Sequence, residues 1–178
     1  IVGVADPNEF RRNQIGEYFN IPKEHRFADV NDLAAVPKFA DAAINGTMDD
    51  IHVSTSIPLL KAGYDILLEK PFAVNEEEMR ELIECAEEND RKKMICFVLR
   101  YAPFDRSIKE TILSGEIGRI VNIQMAEHVS YHHMSTSHIR GKWRNEDQCH
   151  ATMLLAKCCH DIDIMMWLMG SDAPAKVA

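Results

Sequence analysis

Strand-like and helix-like segments alternate along the first hundred or so residues with short links, which predicts an α/β chain on a parallel, doubly wound sheet. From Arg100 the alternation stops. A longer strand-like run and one apolar-rich helix then read as the start of a second, sheet-containing domain. The third observation is Leu67-Leu68-Glu69-Lys70-Pro71-Phe72, a buried-type run closed by proline. It reads as an interior parallel strand that delivers Lys70 to its carboxyl end, where open α/β sheets bind ligands.

The elements follow in order. Ile1 to Asp6 is a buried-type strand. Pro7 to Phe19 is predicted helical, with Asp6 as N-cap, proline in the first position and Phe10, Ile15, Tyr18 and Phe19 on the inner side. Asp6 also sits where a dinucleotide fold places the carboxylate that binds adenosine ribose and repels a 2′-phosphate; capping and ribose binding are compatible. Arg26-Phe27-Ala28 is a short strand, and Asn31-Asp32-Leu33 opens a short helix ending near Pro37. Asp41 to Asn45 is a strand, followed by Gly46-Thr47 and a helix from Asp49 or Asp50 to Ala62, closed by Gly63. Tyr64 to Glu69 is the strand that ends on Lys70. Asn75 caps a helix to about Asn89, with Glu78 completing a capping-box pattern and an acidic, solvated outer face. Lys93 to Leu99 is one more strand.

Beyond Arg100, Pro103 to Leu113 reads as a helix with Gly115 and Gly118 after it, and Arg119 to Val129 as a strand with partial alternation. Ser130 to His150 reads as a polar loop. Thr152 to Met169 is an apolar-rich helix stopped by Gly170. The predicted domains are therefore 1–99 and 100–178.

Composition excludes several classes. A net charge of −8 with no basic cluster argues against a nucleic-acid surface. No apolar run approaches the roughly 20 residues that span a bilayer, and no leader pattern opens the chain, so no membrane association is expected. Five cysteines, two of them adjacent at Cys158-Cys159, do not form a disulfide framework, and a cytoplasmic setting is expected. His128, His132, His133, His138 and His150 match no zinc spacing, so no metal is expected. The methionines at 165, 166 and 169 read as core filling. A strand at Ile1 with no initiator methionine suggests a fragment.

Together these residues resemble the glucose-fructose oxidoreductase / inositol dehydrogenase (Gfo/Idh/MocA) family of two-domain NAD(P)-dependent sugar dehydrogenases. The likeness rests on Ala62-Gly63 followed by Glu69-Lys70-Pro71-Phe72; Thr47-Met48-Asp49-Asp50-Ile51-His52; Leu99-Arg100-Tyr101-Ala102-Pro103-Phe104; and Ser114-Gly115-Glu116-Ile117-Gly118. Trp143-Arg144 and His160-Asp161-Ile162-Asp163 to Trp167 and Gly170 complete it, and all fall in family order. The resemblance implies a Rossmann-type first domain that lacks its first strand and glycine-rich loop, then the start of an α+β substrate domain whose large, mostly antiparallel sheet is incomplete.

It also implies chemistry. Lys70 and His160 become the catalytic pair that relays the hydroxyl proton, and NAD, rather than NADP, takes the hydride. Asp6, Asn45, Thr47, His52, Glu69, Lys70, Pro71, Arg100, Trp143 and Arg144 become cofactor contacts, although Trp143-Arg144 could also only pin the loop. His160 alone could equally be a core histidine, and Asp161 and Asp163 could simply anchor the helix. Where the family often carries aspartate, one turn before the histidine, this chain has Ala156. Lys157 beside it, with Asp163, then becomes a substrate contact favouring an anionic or strongly polar group; a surface role for Lys157 stands beside that reading. The implied activity is hydride transfer between NAD and a hydroxyl carbon of a sugar, polyol or related compound, a small molecule. An NAD-dependent glycoside hydrolase and a non-catalytic, ligand-sensing regulator are the alternatives. The family further implies a homo-oligomer, dimer or tetramer.

Overall fold

Side-chain caps set where most helices of the first half begin. The structure, a computed structural model, describes residues 1–170 and 174–176. It divides into two compact units, Ile1–Cys96 and Phe97–Ala178; residues 171–173 and 177–178 of the predicted second domain lie outside the described residues. In the first unit, β1 (Val4–Ala5) leads into α1 (Glu9–Tyr18). Asn8, not Asp6, caps α1: its side-chain oxygen accepts from the Arg11 amide at 3.0 Å. Both residues are good cap types two positions apart, and Asp6 is held instead by the Arg11 side chain.

The expected inner face of α1 is also corrected. Phe10 and Tyr18 are 74% and 77% exposed, and Ile15 and Phe19 are partly exposed. The buried position is Gly16, because the Arg26 side chain lies against it: a Cβ there would come within 2.3 Å of Arg26 Nε. That Nε donates to the Ile21 carbonyl at 2.9 Å, so a long-range contact overrides the local apolar pattern.

β2 (Arg26–Phe27) pairs in parallel with β1, and α2 (Val30–Ala35) follows under an Asp29 cap that accepts from the Asn31 amide at 2.7 Å. β3 (Ala42–Asn45) runs through a 3-10 turn at Asp49–Ile51 into α3 (His52–Lys61). Gly63 then reverses the chain at φ 88°, a left-handed value that favours glycine. β4 (Asp65–Leu68), α4 (Glu76–Glu88) and β5 (Lys93–Ile95) complete the unit. As expected, Asn75 caps α4, accepting from the Glu78 amide at 2.8 Å. The last strand is shorter than predicted, because Val98–Tyr101 turn into a 3-10 segment.

β4 is the interior strand of the parallel order β3-β4-β5, while β1 and β2 form a separate parallel ladder. The core lies on one face of the three-stranded sheet. Val53, Leu59 and Leu60 of α3, Ile66 and Leu68 of β4, and Leu82, Cys85 and Ala86 of α4 pack together with Tyr64. Fully burying one such Leu or Ile contributes about 1.5–3 kcal/mol. The opposite face carries Ile44, 71% exposed, and Met94, 49% exposed. The apolar run of β4 thus has one fully buried face, since α2, α3 and α4 all pack on that side.

In the second unit, α5 (Pro103–Ser114) starts on proline and stops at Gly115. The predicted strand over 119–129 is absent: no segment of the described residues forms a ladder with it, and Val121 is 85% exposed. Alternation alone cannot make a strand without a partner to take its backbone groups. The predicted polar loop, in contrast, is largely turned. It holds α6 (Tyr131–Met134), a π-type turn at Ser135–Ile139, a 3-10 turn at Lys142–Arg144 and α7 (Glu146–Cys149). α8 (Met153–Met169) begins on Thr152, whose hydroxyl accepts from the Leu155 amide at 3.0 Å. Its end is closed by Lys109 of α5, which donates to the carbonyls of Trp167 and Leu168 at 2.5 and 3.2 Å and lies 5.6 Å from the Trp167 ring centre. Among the described residues no helix is long and apolar enough to cross a membrane.

Candidate active site

The carboxyl edge of the parallel sheet in the first unit collects most of the predicted residues of that unit. Asn45 of β3 pairs with Leu68 of β4, and Leu68 with Ile95 of β5. Backbone bonds extend this register past the strands: Glu69 N donates to the Asn45 carbonyl at 2.9 Å, and Cys96 N to the Leu68 carbonyl at 2.8 Å. Gly46-Thr47, Glu69-Lys70 and Cys96 therefore leave the sheet side by side. Lys70 is half-buried, Glu69 is exposed, and the Lys70–Pro71 peptide is cis. Burial, and then the Glu69 carboxylate, push the Cys96 thiol up from its ordinary pKa.

Asn45 organises the loop after β3. It is 4% exposed. Its amide nitrogen lies 2.8–3.1 Å from the Ser56 hydroxyl, the Thr55 hydroxyl and the His52 carbonyl. Its oxygen accepts from Thr47 N at 3.1 Å and the Thr47 hydroxyl at 2.9 Å. The side chain is thus spent on its own loop, which it holds in shape. His52, 1% exposed, has its two ring nitrogens against the carbonyls of Pro71, at 2.8 Å, and Thr47, at 3.1 Å. Thr55 and Ser56 were not singled out from sequence; their spacing three and four residues after His52, on one helical face, is the signal that finds them.

Asp6 follows β1, beside the end of β2, with its amide donating to the Phe27 carbonyl at 3.1 Å. Arg11 grips its carboxylate with both arms of the guanidinium, each at 2.9 Å, and Asn8 N donates to it at 2.7 Å. A carboxylate has about four acceptor positions. Three are taken by these bonds, so one remains for a further donor. The Arg11 hydrogen bond, chiefly, holds the Asp6 carboxyl below its usual range. A depressed folded-state value means that this pair adds stability above the ordinary carboxylate pKa and loses it as pH falls through the lowered one. Asp6→Asn is therefore expected to be less stable than the wild type at neutral pH and to converge with it as pH falls below the lowered carboxyl range. Urea unfolding at several pH values checks this.

In the second unit the predicted residues form two groups. Arg100, in the 3-10 turn, and Asp163 of α8 pair through both guanidinium arms, with Nε 2.7 Å from one carboxylate oxygen. Asp163 is 8% exposed, and this pair ties the turn to α8. The pairing keeps the Arg100 guanidinium protonated to a higher pH than usual. The second group gathers at Lys157 of α8. Lys157 Nζ donates to His133 Nε2, the His133 and His138 rings lie 6.4 Å apart, and His138 lies 6.3 Å from Trp143. Arg144 is exposed, Ala156 is buried at 3% exposure, and His160 is half-buried with its ring edge-on to Phe97 at 6.1 Å. Sequence reasoning set His133 aside with the other loop histidines, and its pairing with Lys157, 24 residues away, has no local signature.

Comparison with known proteins adds the family context. The family described as "Oxidoreductase family, NAD-binding Rossmann fold" matches residues 1–97, and the GFO/IDH/MocA C-terminal domain matches residues 106–178. Inositol 2-dehydrogenase of Corynebacterium glutamicum (strain R) is 24% identical over 176 residues, covering 96% of this chain and 47% of that protein. Among solved structures, myo-inositol 2-dehydrogenase from Lactobacillus plantarum superposes with a TM-score of 0.82 at 18% identity, over 97% of this chain and 49% of that one. The inositol dehydrogenase homologue from Azotobacter vinelandii, complexed with NAD+, gives 0.77 at 20% identity, over 96% and 46%. At such identities these structures show the fold. The chain spans about half the length of these relatives.

Proposed function

Because the chain belongs to the Gfo/Idh/MocA oxidoreductase family, with an NAD-binding Rossmann fold over residues 1–97, we propose that the protein oxidises a hydroxyl carbon of a sugar, polyol or related compound with NAD. The observation that carries this reading is the carboxyl edge of the sheet, where Thr47, Glu69 and Lys70 emerge in register. Asp6 fits the adenosine end. Its one remaining acceptor position suits a single ribose hydroxyl, and its negative charge disfavours a 2′-phosphate, so NAD is preferred to NADP.

When bound, NAD supplies the hydride acceptor. The chain supplies positioning and proton handling. Lys70 and His160 take up the hydroxyl proton as the carbonyl forms, and Thr47, Glu69 and Pro71 shape the surface around Lys70. Trp143 and Arg144 serve the cofactor, reaching its carboxamide or the substrate beside it. Arg100 and Asp163, spent on each other, hold the helix that carries His160. Lys157, where the preceding position is the small Ala156, favours a substrate with an anionic or strongly polar group; Lys157→Ala is expected to raise KM about three- to tenfold with little change in kcat, a loss of uniform binding. The protein works in the cytoplasm as a dimer or tetramer, a state that sedimentation measures.

The test is a panel of inositols, sugars and their acids, incubated with full-length protein and NAD while reduced nicotinamide is followed by absorbance. Reduction with at least one polyol or sugar, lost in Lys70→Ala, is the expected result. No reduction with any of them contradicts the proposal.

A further inference from the structure

His52 opens α3, yet its side chain points away from solvent and joins two loops that the sequence keeps 24 residues apart, at Thr47 and Pro71. At 1% exposure it has no surface left to touch a cofactor. One nitrogen faces the carbonyl of Pro71, the residue bonded to Lys70, and the other faces the carbonyl of Thr47. Carbonyl oxygens only accept, so the ring is the donor wherever either contact is a hydrogen bond, and the contact to Pro71, at 2.8 Å, is the shorter of the two. The second loop is fixed independently: Asn45 holds Thr47 through two bonds and the His52 carbonyl through a third. A continuous chain of contacts, buried at Asn45, His52 and Pro71, thus runs from the β3 end to the turn that carries Lys70.

We infer that His52 is a positioning residue that locks the Lys70–Pro71 turn to the Thr47 loop and so sets the surface against which the nicotinamide ring rests. This rests on the proposed role of Lys70 at the nicotinamide. Two loops at the edge of a sheet can drift by an ångström without unfolding anything, and a displacement of that size is enough to impair catalysis about a hundredfold. His52 prevents it because its ring contacts the Pro71 carbonyl while its own carbonyl is held by Asn45, the residue that also fixes the Thr47 loop.

The test uses full-length protein titrated with NADH, reading both affinity and the emission of the bound reduced nicotinamide at saturation. His52→Ala is expected to weaken NADH about tenfold, the scale of one unmet buried hydrogen bond, and to alter that emission. His52→Gln, whose amide can donate to the Pro71 carbonyl, is expected to restore affinity to within about threefold of wild type. Asp6→Ala, at the adenosine end, weakens binding and leaves the emission at saturation unchanged. Wild-type affinity and emission in His52→Ala overturn the inference and leave the proposed function standing; so does a lower melting temperature with unaltered emission, the mark of a residue that only supports the fold. Absence of NADH binding by the wild type overturns both. Where His52→Ala fails to fold, His52→Asn, polar but too short to bridge the two carbonyls, takes its place with the same expected and overturning results.

Discussion

Lys70→Ala in the full-length protein is expected to lower kcat by roughly 10²–10⁴-fold, the range that one positioned proton-transfer group contributes. The fold should tolerate the change. Lys70 stands at the strand's end, outside the cluster around Leu60, Ile66 and Leu68, and stability should move by no more than about 1 kcal/mol. His160→Ala is expected to act on the same step. If the two groups share one proton relay, the double variant loses little more than the worse single one, because residues that act as a unit are strongly non-additive. Steady-state kinetics on the two single variants and the double variant measure this. Independent, multiplying losses would separate the two residues into different steps.

Arg100→Ala carries the largest expected cost in stability. It strands the Asp163 carboxylate, whose side chain is only 7% exposed, without the guanidinium that neutralises it. Breaking a buried pair from one side costs about 3–5 kcal/mol; the Arg100 side chain is 40% exposed, so water can reach the gap and about 2–4 kcal/mol is expected. For a chain of 178 residues that lowers Tm by roughly 4–16 °C. Replacing both partners, as Arg100→Met with Asp163→Leu, removes the stranded charge and should recover most of the loss. Calorimetry on these two variants and the wild type reports it. A single variant as stable as wild type would mean that the pair does not anchor α8.

The strand that ends on Lys70 was legible because its signals are local: an apolar run, a glycine before it and a proline after it. The Asn75 cap and the stop at Gly63 are local in the same way. What sequence reasoning missed depends on partners far along the chain. Phe10 and Tyr18 were expected inside because their spacing suits an inner face, whereas the contact that decides the burial of α1 is Arg26 on Gly16. Residues 119–129 alternate as a strand does, yet pairing requires a neighbour that no pattern within the segment encodes. The sequence placed Arg100 and Asp163 at the site, but their mutual pairing spans 63 positions. His52 was read as a cofactor contact from its motif; its partners are two backbone carbonyls, which any residue presents and which leave no trace in a sequence.

The most direct test of hydride transfer is to follow the hydrogen itself. Full-length protein is given NAD+ and a polyol substrate from the panel deuterated at its carbinol carbon, and the mass of the reduced cofactor is measured. Direct transfer predicts one deuterium on the nicotinamide ring for each substrate oxidised. Reduced cofactor without deuterium, or oxidised substrate with no reduced cofactor, would contradict it.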